Sequence, residues 1–470
     1  MANLTIRNLT INPIQLIQVQ RFESEKVGTG DVVGNVTGKI TSLFTATDFK
    51  THEIRAQGDA LHKEAADVRV ESFQAKETKI RAADKGKEIV RLTFKVRDHK
   101  YEVDVPSPTS KSSVLKSLDG GKEELTAVYT HNGAFLAIFS SARLNAWMKE
   151  LDDAWPLPSL SIPGTHNAAT HHKALPSVRC QAVHVREQLK NGVRFLDVRL
   201  SASPDNDELT IVHGAFPISL TGDKYLKDFL EDLYKFLEEN PSEAIILSLK
   251  REGTGKGTDQ QMGKYLKYSY VDKKRSFYWT EPKVPTLGQA RGKIVLVRRF
   301  AISDEQHKSC WNGRGWAIDA SQWPDNCEDG KTGAGNIRVQ DFYEVSETQN
   351  VEKKVEFARR QMERAAEIDY RLPGTEGHKE GQKMPPFFVN FLSASYFFNA
   401  NCWPERVAAK LNPSAVEYLC IRHGEAGQGP NKLKVGNGGT GIVVTDWCGA
   451  HEDWDLIRCI VGMNARLLLK

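Results

Sequence analysis

From Leu4 to about residue 140 the chain alternates apolar and polar residues in short runs: LTIRNLTI, VRLTFKV, YEVDVP, LTAVYT and AFLAIFSS. A period of two sends every second side chain to one face, as in a strand with one buried face. Turn-forming stretches such as GTGDVVGNVTG and DGGKEE separate the runs. Together they predict an antiparallel β-sandwich over residues 1–140. The charged stretch AQGDALHKEAADVRVESFQAKETKIRAADKGKE lacks clear alternation and predicts loops or a short helix. No convergent acid, base and phosphate ligand appears in this part.

From Ser141 the pattern changes. Short, largely apolar runs (LSI, VRFLDVRL, LTIVHG, AIILSLK, KIVLVRR, FFVNFLSA, GIVVTDW) now alternate with longer amphipathic stretches. Apolar, β-branched runs suit strands buried on both faces of a parallel sheet. Between two of them, Leu226, Phe229, Leu230, Leu233, Phe236 and Leu237 fall on one helical face, and Pro241 follows where a helix would stop. SETQNVEKKVEFARRQMERAAEI and WPERVAAKLNPSAVEYL predict further helices. Strands alternating with helices predict an α/β fold, a distorted TIM-type β/α barrel over residues 141–470.

Most of the predicted strands end in a residue capable of chemistry. LSIPGTH ends in His166, VRFLDVR in Asp197 and Arg199, LTIVH in His213, IILSLKRE in Lys250 and Glu252, IVLVRR in Arg299, and GIVVTD in Asp446. In a β/α barrel such groups converge at the carboxyl ends of the strands. Two imidazoles supply a base and an acid near neutrality, and an aspartate can orient one of them. An arginine binds a phosphoryl group and stabilises added negative charge. That set suits transfer at phosphorus. His171, His172 and His184 read instead as structural histidines, and Arg194 as a strand residue facing a helix.

Composition narrows the partners. A net charge of +4 over 470 residues is too small to imply nucleic acid, and it permits attraction to an anionic membrane surface. No apolar run approaches the ~20 residues of a membrane span. The opening MANLTIRNLTINPIQLIQVQ has no basic-then-apolar targeting pattern and reads as folded β-structure, so the sequons at Asn3, Asn8 and Asn35 carry no weight. Seven cysteines without a CxxC pair predict reduced thiols in a cytoplasmic protein, peripherally associated with membranes.

LSIPGTHNAAT, GVRFLDVRL, TIVHGAF, NPSEAIILSLKRE, LGQARGKIVLVRRF, QWPDN and RVQDFYEV, in this order and spacing, resemble the bacterial-type phosphatidylinositol-specific phospholipase C catalytic domain. The resemblance runs from about Asn145 to the C-terminus and leaves the N-terminal part uncovered. It implies a phosphodiesterase that converts phosphatidylinositol in membrane surfaces to diacylglycerol and inositol 1,2-cyclic phosphate. His166 would take the proton of the inositol 2-hydroxyl, oriented by Asp446. Arg199, with Asp197 in the same motif, would hold the phosphate, and His213 would protonate the diacylglycerol oxygen. Lys250, Arg299 and Asp341 match positions that contact inositol hydroxyls, and Tyr343 the residue that stacks on the ring. Glu252 and Trp323 lie in matching motifs. Asn167 stands where bacterial members carry an aspartate supporting the general acid, which implies a lower pKa for His213. Calcium-dependent eukaryotic relatives also have asparagine there, but they place a carboxylate where this chain has Arg199. The resemblance therefore implies catalysis without metal or other cofactor. Besides activity on a glycosylated inositol lipid, against which the lack of a targeting pattern weighs, two alternatives remain. One is another phosphodiesterase of the same barrel, glycerophosphodiesterase-like or sphingomyelinase-D-like. The other is a catalytically weak inositol-lipid-binding protein.

Overall fold

The structure is a computed structural model; it describes residues 2–27, 53–84, 86–107, 112–130, 134–141, 143–175, 177–253, 257–427 and 432–469. The GTGDVVGNVTG turn and Asn35 lie outside these. The chain divides into two compact units, the smaller essentially Met1–Ala142 and the larger Arg143–Tyr418 with Arg422–Leu468.

Among the described residues the smaller unit holds two five-stranded sheets. Leu4, Ile6, Leu136 and Ile138 of one sheet and Leu16, Val19, Leu92, Phe94 and Val103 of the other form one hydrophobic cluster. The apolar members of each alternating run thus face inward, as the period of two requires. Two expectations are corrected. The first strand, Asn3–Leu9, runs parallel to the last, Phe135–Ser140. The intervening chain is ample for the crossover that a parallel pair demands. The charged stretch is neither loop nor helix: Glu53–Val70 and Ala75–Arg81 are strands. Glu53–Val70 pairs antiparallel with Ile14–Val27, and many of its side chains are exposed. The ladder satisfies its backbone while most side chains before Ala66 stay in water, and apolar alternation marks only its end, where Ala66, Val68 and Val70 meet the core.

In the larger unit the main parallel strands are β1 Ile162–Thr165, β2 Phe195–Ala202, then, after the antiparallel β3 Leu209–His213, β4 Ile245–Arg251, β5 Ile294–Arg299, β6 Ile337–Gln340, β7 Phe387–Phe391 and β8 Ile442–Thr445. The two-residue strands Tyr278–Trp279 and Ile318–Asp319 run parallel to β5. Around the sheet the order is β5-β4-β2-β1-β8-β7-β6, with Tyr278–Trp279 beyond β5 and Gly330–Lys331 beyond β6. The order has two ends among the described residues, so the sheet curls without closing. Phe195, Ile246, Val297, Ile337, Phe387, Val389 and Ile442 face one another with Trp323 across its interior. The helix predicted from YLKDFLEDLYKFLEENP spans Leu226–Glu239 and buries the six predicted apolar residues together with Tyr234.

β3 departs from the expected pattern. The sequence pattern predicts LTIVH as one more barrel strand, but it runs antiparallel to β2, with Leu200 opposite Ile211. Six residues separate the two strands. That is enough for a hairpin and too few for a parallel return.

Candidate active site

Register brings the polar residues together. In β1, Thr165 lies opposite Leu196 of β2 and Thr445 of β8, so the next residues, His166, Asp197 and Asp446, come level with one another. Arg199, Lys250 and Arg299 lie in one row across β2, β4 and β5. Registered neighbours share a face of a sheet, so three cations project together above the apolar interior. Asp341 follows β6 directly. Glu252 follows β4, and its carboxylate accepts from the amide of Gly214 at 2.8 Å. Gly214 takes φ +60° in the turn joining His213 to Phe216, a conformation glycine adopts without strain.

The hydrogen bonds settle the histidine tautomers. Arg199 Nη2 stands 3.0 Å and Asn167 Nδ2 3.1 Å from His166 Nε2. Both are donors only, so Nε2 carries the lone pair and Nδ1 the proton. Nδ1 donates to Asp446 Oδ1 at 2.8 Å. His166 is thus in the form of a general base. Burial, then Arg199 and His213, hold its pKa well below the usual imidazole value. Burial pushes Asp446 well up, opposed by Arg199 and Lys354. Gln181 braces the corner by donating to the carbonyls of His166 and Thr445 at 2.7 and 3.0 Å.

His213 lies across the site, its ring centroid 5.8 Å from that of His166 and nearly perpendicular to it. Its Nδ1 is 2.9 Å from the carbonyl of Val178, a contact only an N–H can make. The second nitrogen, Nε2, is therefore the atom that gains or releases a proton. Burial and then Arg199 lower its pKa.

The expected support of His213 by residue 167 is not what the structure shows. Asn167, at φ +44°, directs its amide nitrogen at His166 Nε2 and at Cys180 Sγ, 3.8 Å away. The peptide carbonyl of Val178 is the hydrogen-bonded partner of the His213 ring. The sharp turn that follows β1 aims the residue 167 side chain back at its own neighbour. Asparagine tolerates that left-handed conformation better than most residues.

Arg199 donates to Glu252 Oε1 at 2.8 Å and to Asp197 Oδ2 at 3.4 Å. Burial works to raise Glu252, but Arg199 and Lys250 overrule it and hold its pKa at about 2. Lys250 reaches Glu252 Oε1 at 2.8 Å. Asp197, fully buried, also accepts from Arg299 Nη1 at 3.3 Å. Arg299 lies 3.5 Å from Asp341 Oδ2 and stacks 3.9 Å over the Trp323 ring, whose Nε1 donates to Asp341 Oδ2 at 2.9 Å. Tyr343 donates to Asp325 at 2.9 Å, and burial followed by that bond raises its pKa to about 12.

All the predicted site residues except His213 and Tyr343 are therefore joined, directly or through one another, in this network. His213 meets it by its ring contact with His166 and through Cys180, and Tyr343 lies two positions beyond Asp341. His171 packs tilted against His172 and edge-on against His184 at centroid separations of 3.9 and 4.8 Å, a separate cluster. Arg194 is fully buried, pairs with Glu243 at 2.9 Å and donates to the Leu189, Val193, Leu144 and Asn145 carbonyls, which is a structural role. Sequence reading missed Cys180, Gln181, Val178 and Lys354. Lys354 lies in the helix Thr348–Ala366, is fully buried, donates to Gln340 Oε1 at 2.9 Å and acts electrostatically on Asp341 and Asp446. A lysine within a charged helical run looks solvated, and only packing reveals that it points inward.

Residues 154–300 match the family described as phosphatidylinositol-specific phospholipase C, X domain. The 1-phosphatidylinositol phosphodiesterase of Staphylococcus aureus (strain Newman) is 27% identical over 335 residues, 68% of this chain and 93% of its own length. The protein of that name from Listeria monocytogenes is 33% identical over 190 residues, 38% of this chain and 54% of its own. PI-PLC X domain-containing protein 1 of Homo sapiens is 29% identical over 207 residues, 36% of this chain and 60% of its own. A solved structure of the Staphylococcus aureus phosphatidylinositol-specific phospholipase C, concerned with modulation of membrane binding, aligns with 69% of this chain and 98% of its own. Its TM-score is 0.53 and its identity 25%.

Proposed function

We propose that this chain is a phosphatidylinositol-specific phospholipase C that splits the lipid by in-line transfer at phosphorus. The observation that carries the reading is the pair of complementary imidazoles. His166 offers a lone pair at Nε2, and His213 holds its Nδ1 proton on a peptide carbonyl, leaving Nε2 to donate when protonated. In this reading His166 removes the proton of the inositol 2-hydroxyl, and the alkoxide attacks phosphorus. Arg199 leaves His166 Nε2 to engage the phosphate oxygens and the charge that builds on them. His213 gives its proton to the departing glycerol oxygen. The products are diacylglycerol and inositol 1,2-cyclic phosphate. Lys250, Glu252, Arg299 and Asp341 form the polar wall for the inositol hydroxyls, with Tyr343 at its rim.

The guanidinium of Arg199 takes the Lewis-acid role, so the reaction runs without metal. The donor set supports this: Asp197 and Glu252 already bind arginine and lysine side chains. Engaged carboxylates also disfavour a metal-dependent glycerophosphodiesterase-like or sphingomyelinase-D-like reaction. The weak-catalysis reading rested on Asn167, whose amide contacts the base rather than the acid.

Membrane contact would be peripheral. No helix among the described residues is long and apolar enough to cross a membrane. Phe216, beside His213 in the hairpin, stacks on Phe397, and Tyr396, Phe397 and Phe398 are 40%, 46% and 84% exposed beyond β7. Exposed aromatic side chains at the ends of strands that carry the chemistry suit insertion into a lipid headgroup layer. A reducing, cytoplasmic setting is supported by seven free cysteines. The N-terminal unit, its two sheets packed on one core as a sandwich, acts as an accessory domain that governs location.

The test is to incubate the purified full chain with phosphatidylinositol vesicles, with and without chelator, and to identify products by phosphorus NMR. Inositol 1,2-cyclic phosphate in both cases is expected. No turnover, or turnover only with added calcium, would overturn the reading.

A further inference from the structure

The acid–base reading leaves one residue of the site without a task. Cys180 is fully buried, with Sγ 3.7 Å from His213 Nδ1 and 3.8 Å from Asn167 Nδ2. One ring nitrogen of each of His166 and His213 lies within 4.8 Å of Sγ and of the other. Among the described residues this is the one such group of histidine, cysteine and carboxylate side chains.

Two imidazoles and a thiol are donors for zinc and similar soft or borderline cations. Zinc–nitrogen distances of about 2.0 Å and zinc–sulfur distances of about 2.3 Å put tetrahedral donors roughly 3.3–3.7 Å apart. A contraction of about 1 Å, within reach of small side-chain rotations, closes the group on a metal. His166 already has the second contact of a metal-bound histidine, with the Asp446 carboxylate. The His213 nitrogen facing Cys180, Nδ1, is the one bonded to the Val178 carbonyl, so His213 must turn its ring or shift its proton to Nε2 to offer a lone pair. A fourth donor is at hand. Asn167 Oδ1 is buried and has no hydrogen-bond partner, while the amide nitrogen on the same group faces His166 and Cys180. Half a turn of the amide presents the oxygen there instead.

We propose that His166, His213 and Cys180, completed by the amide oxygen of Asn167, form an inhibitory site for a thiophilic divalent cation such as zinc. On binding, the Cys180 thiol passes its proton to water as the sulfur–metal bond forms, and the imidazoles coordinate through their lone pairs. Arg199 must withdraw from His166, and Glu252 and Asp197 are already in place to hold it. The base then has no lone pair for the substrate hydroxyl, and turnover stops. Calcium and magnesium, which favour oxygen donors, do not compete.

The inhibition rests on the reading of His166 and His213 as base and acid, whereas the metal binding does not. Two readouts therefore run together on the full chain, first stripped with chelator. Zinc is titrated against phosphatidylinositol turnover, and cobalt(II) is titrated without substrate to follow the thiolate-to-cobalt charge-transfer absorption. Saturating zinc is expected to abolish turnover, and chelator to restore it. Cys180→Ser should need at least about tenfold more zinc, each protein compared with its own zinc-free rate, and should lose the cobalt band. Cys180→Ala serves if the serine variant does not fold. Absence of the band in the wild-type protein, or equal zinc sensitivity of the variants, would overturn the proposal. A band accompanied by undiminished turnover would keep the metal site and refute the acid–base assignment.

Discussion

The carboxylate of Asp446 accepts a 2.8 Å hydrogen bond from Nδ1 of His166, 280 positions earlier in the chain. That bond holds the imidazole in the tautomer whose Nε2 can take a proton. Asp446→Asn should keep the contact but allow the other tautomer, lowering kcat by up to about 10⁴-fold. His166→Ala and His213→Ala should each lose roughly 10²–10⁴-fold. Steady-state kinetics beside a thermal melt check this. Well-folded variants within a few-fold of wild type would remove both histidines from the mechanism.

Arg199→Lys should also be costly, because an ammonium cannot offer two parallel donors to phosphate oxygens and to Glu252 together. Activity of the wild-type protein should not depend on calcium, so a calcium chelator should leave it undiminished. Rescue of Arg199→Lys, or of the chelated wild type, by calcium would show that a metal does the work assigned to the guanidinium.

Asn167→Asp should act on the base. Its side chain faces His166 Nε2, so a carboxylate there would stabilise the protonated imidazole and raise a pKa now held down by burial and Arg199. His166 must be unprotonated to act. The acid-side limb of kcat/KM should therefore move to higher pH, with little change in dependence on the leaving group. A shift confined to the alkaline limb would mean that residue 167 acts on His213 after all.

Lys354 is held at about pKa 7 by burial, against an ordinary value of 10.5. For a base whose folded pKa is depressed, the unfolded chain binds more protons between about pH 7 and 10.5. This lysine thus weakens the fold at neutral pH and does so less as pH rises. Lys354→Met should melt no lower than wild type at pH 7, with any advantage narrowing toward pH 10. Gln340 Oε1 still accepts from the Phe342 amide. Turnover should nonetheless fall several-fold, because Asp341 and Asp446 lose a cation that opposes their protonation. Unchanged kcat across the pH range would make the lysine purely structural.

Phe397→Ser with Phe398→Ser should reduce turnover of vesicle phosphatidylinositol and vesicle binding by roughly tenfold, through lost apolar insertion. Cleavage of a soluble inositol phosphodiester should change little. Equal loss on both substrates would place these side chains in the headgroup pocket.

The strand positions were legible because buried parallel strands are written as apolar runs, and the residue that ends such a run is conspicuous when it is His166, Arg299 or Asp446. The strand Glu53–Val70 was hard to read because most of its length is exposed and only its end, Ala66, Val68 and Val70, packs on the core. Lys354 was hidden for the opposite reason: a charged residue on a polar helix gives no sign of pointing inward.

By itself the sequence determined which polar residues sit at strand ends, because periodicity reports burial locally. Tertiary structure alone decided which of them touch. Asn167 was expected beside His213 and lies against His166, since the direction of a side chain after a strand depends on its backbone torsions, here φ +44°. His213 is held by the carbonyl of Val178, which any residue could have supplied. Cys180 meets both histidines only because the loop after β1 folds back across the barrel mouth. Contacts between segments far apart in the chain depend on register and loop path, and neither leaves a mark on local composition.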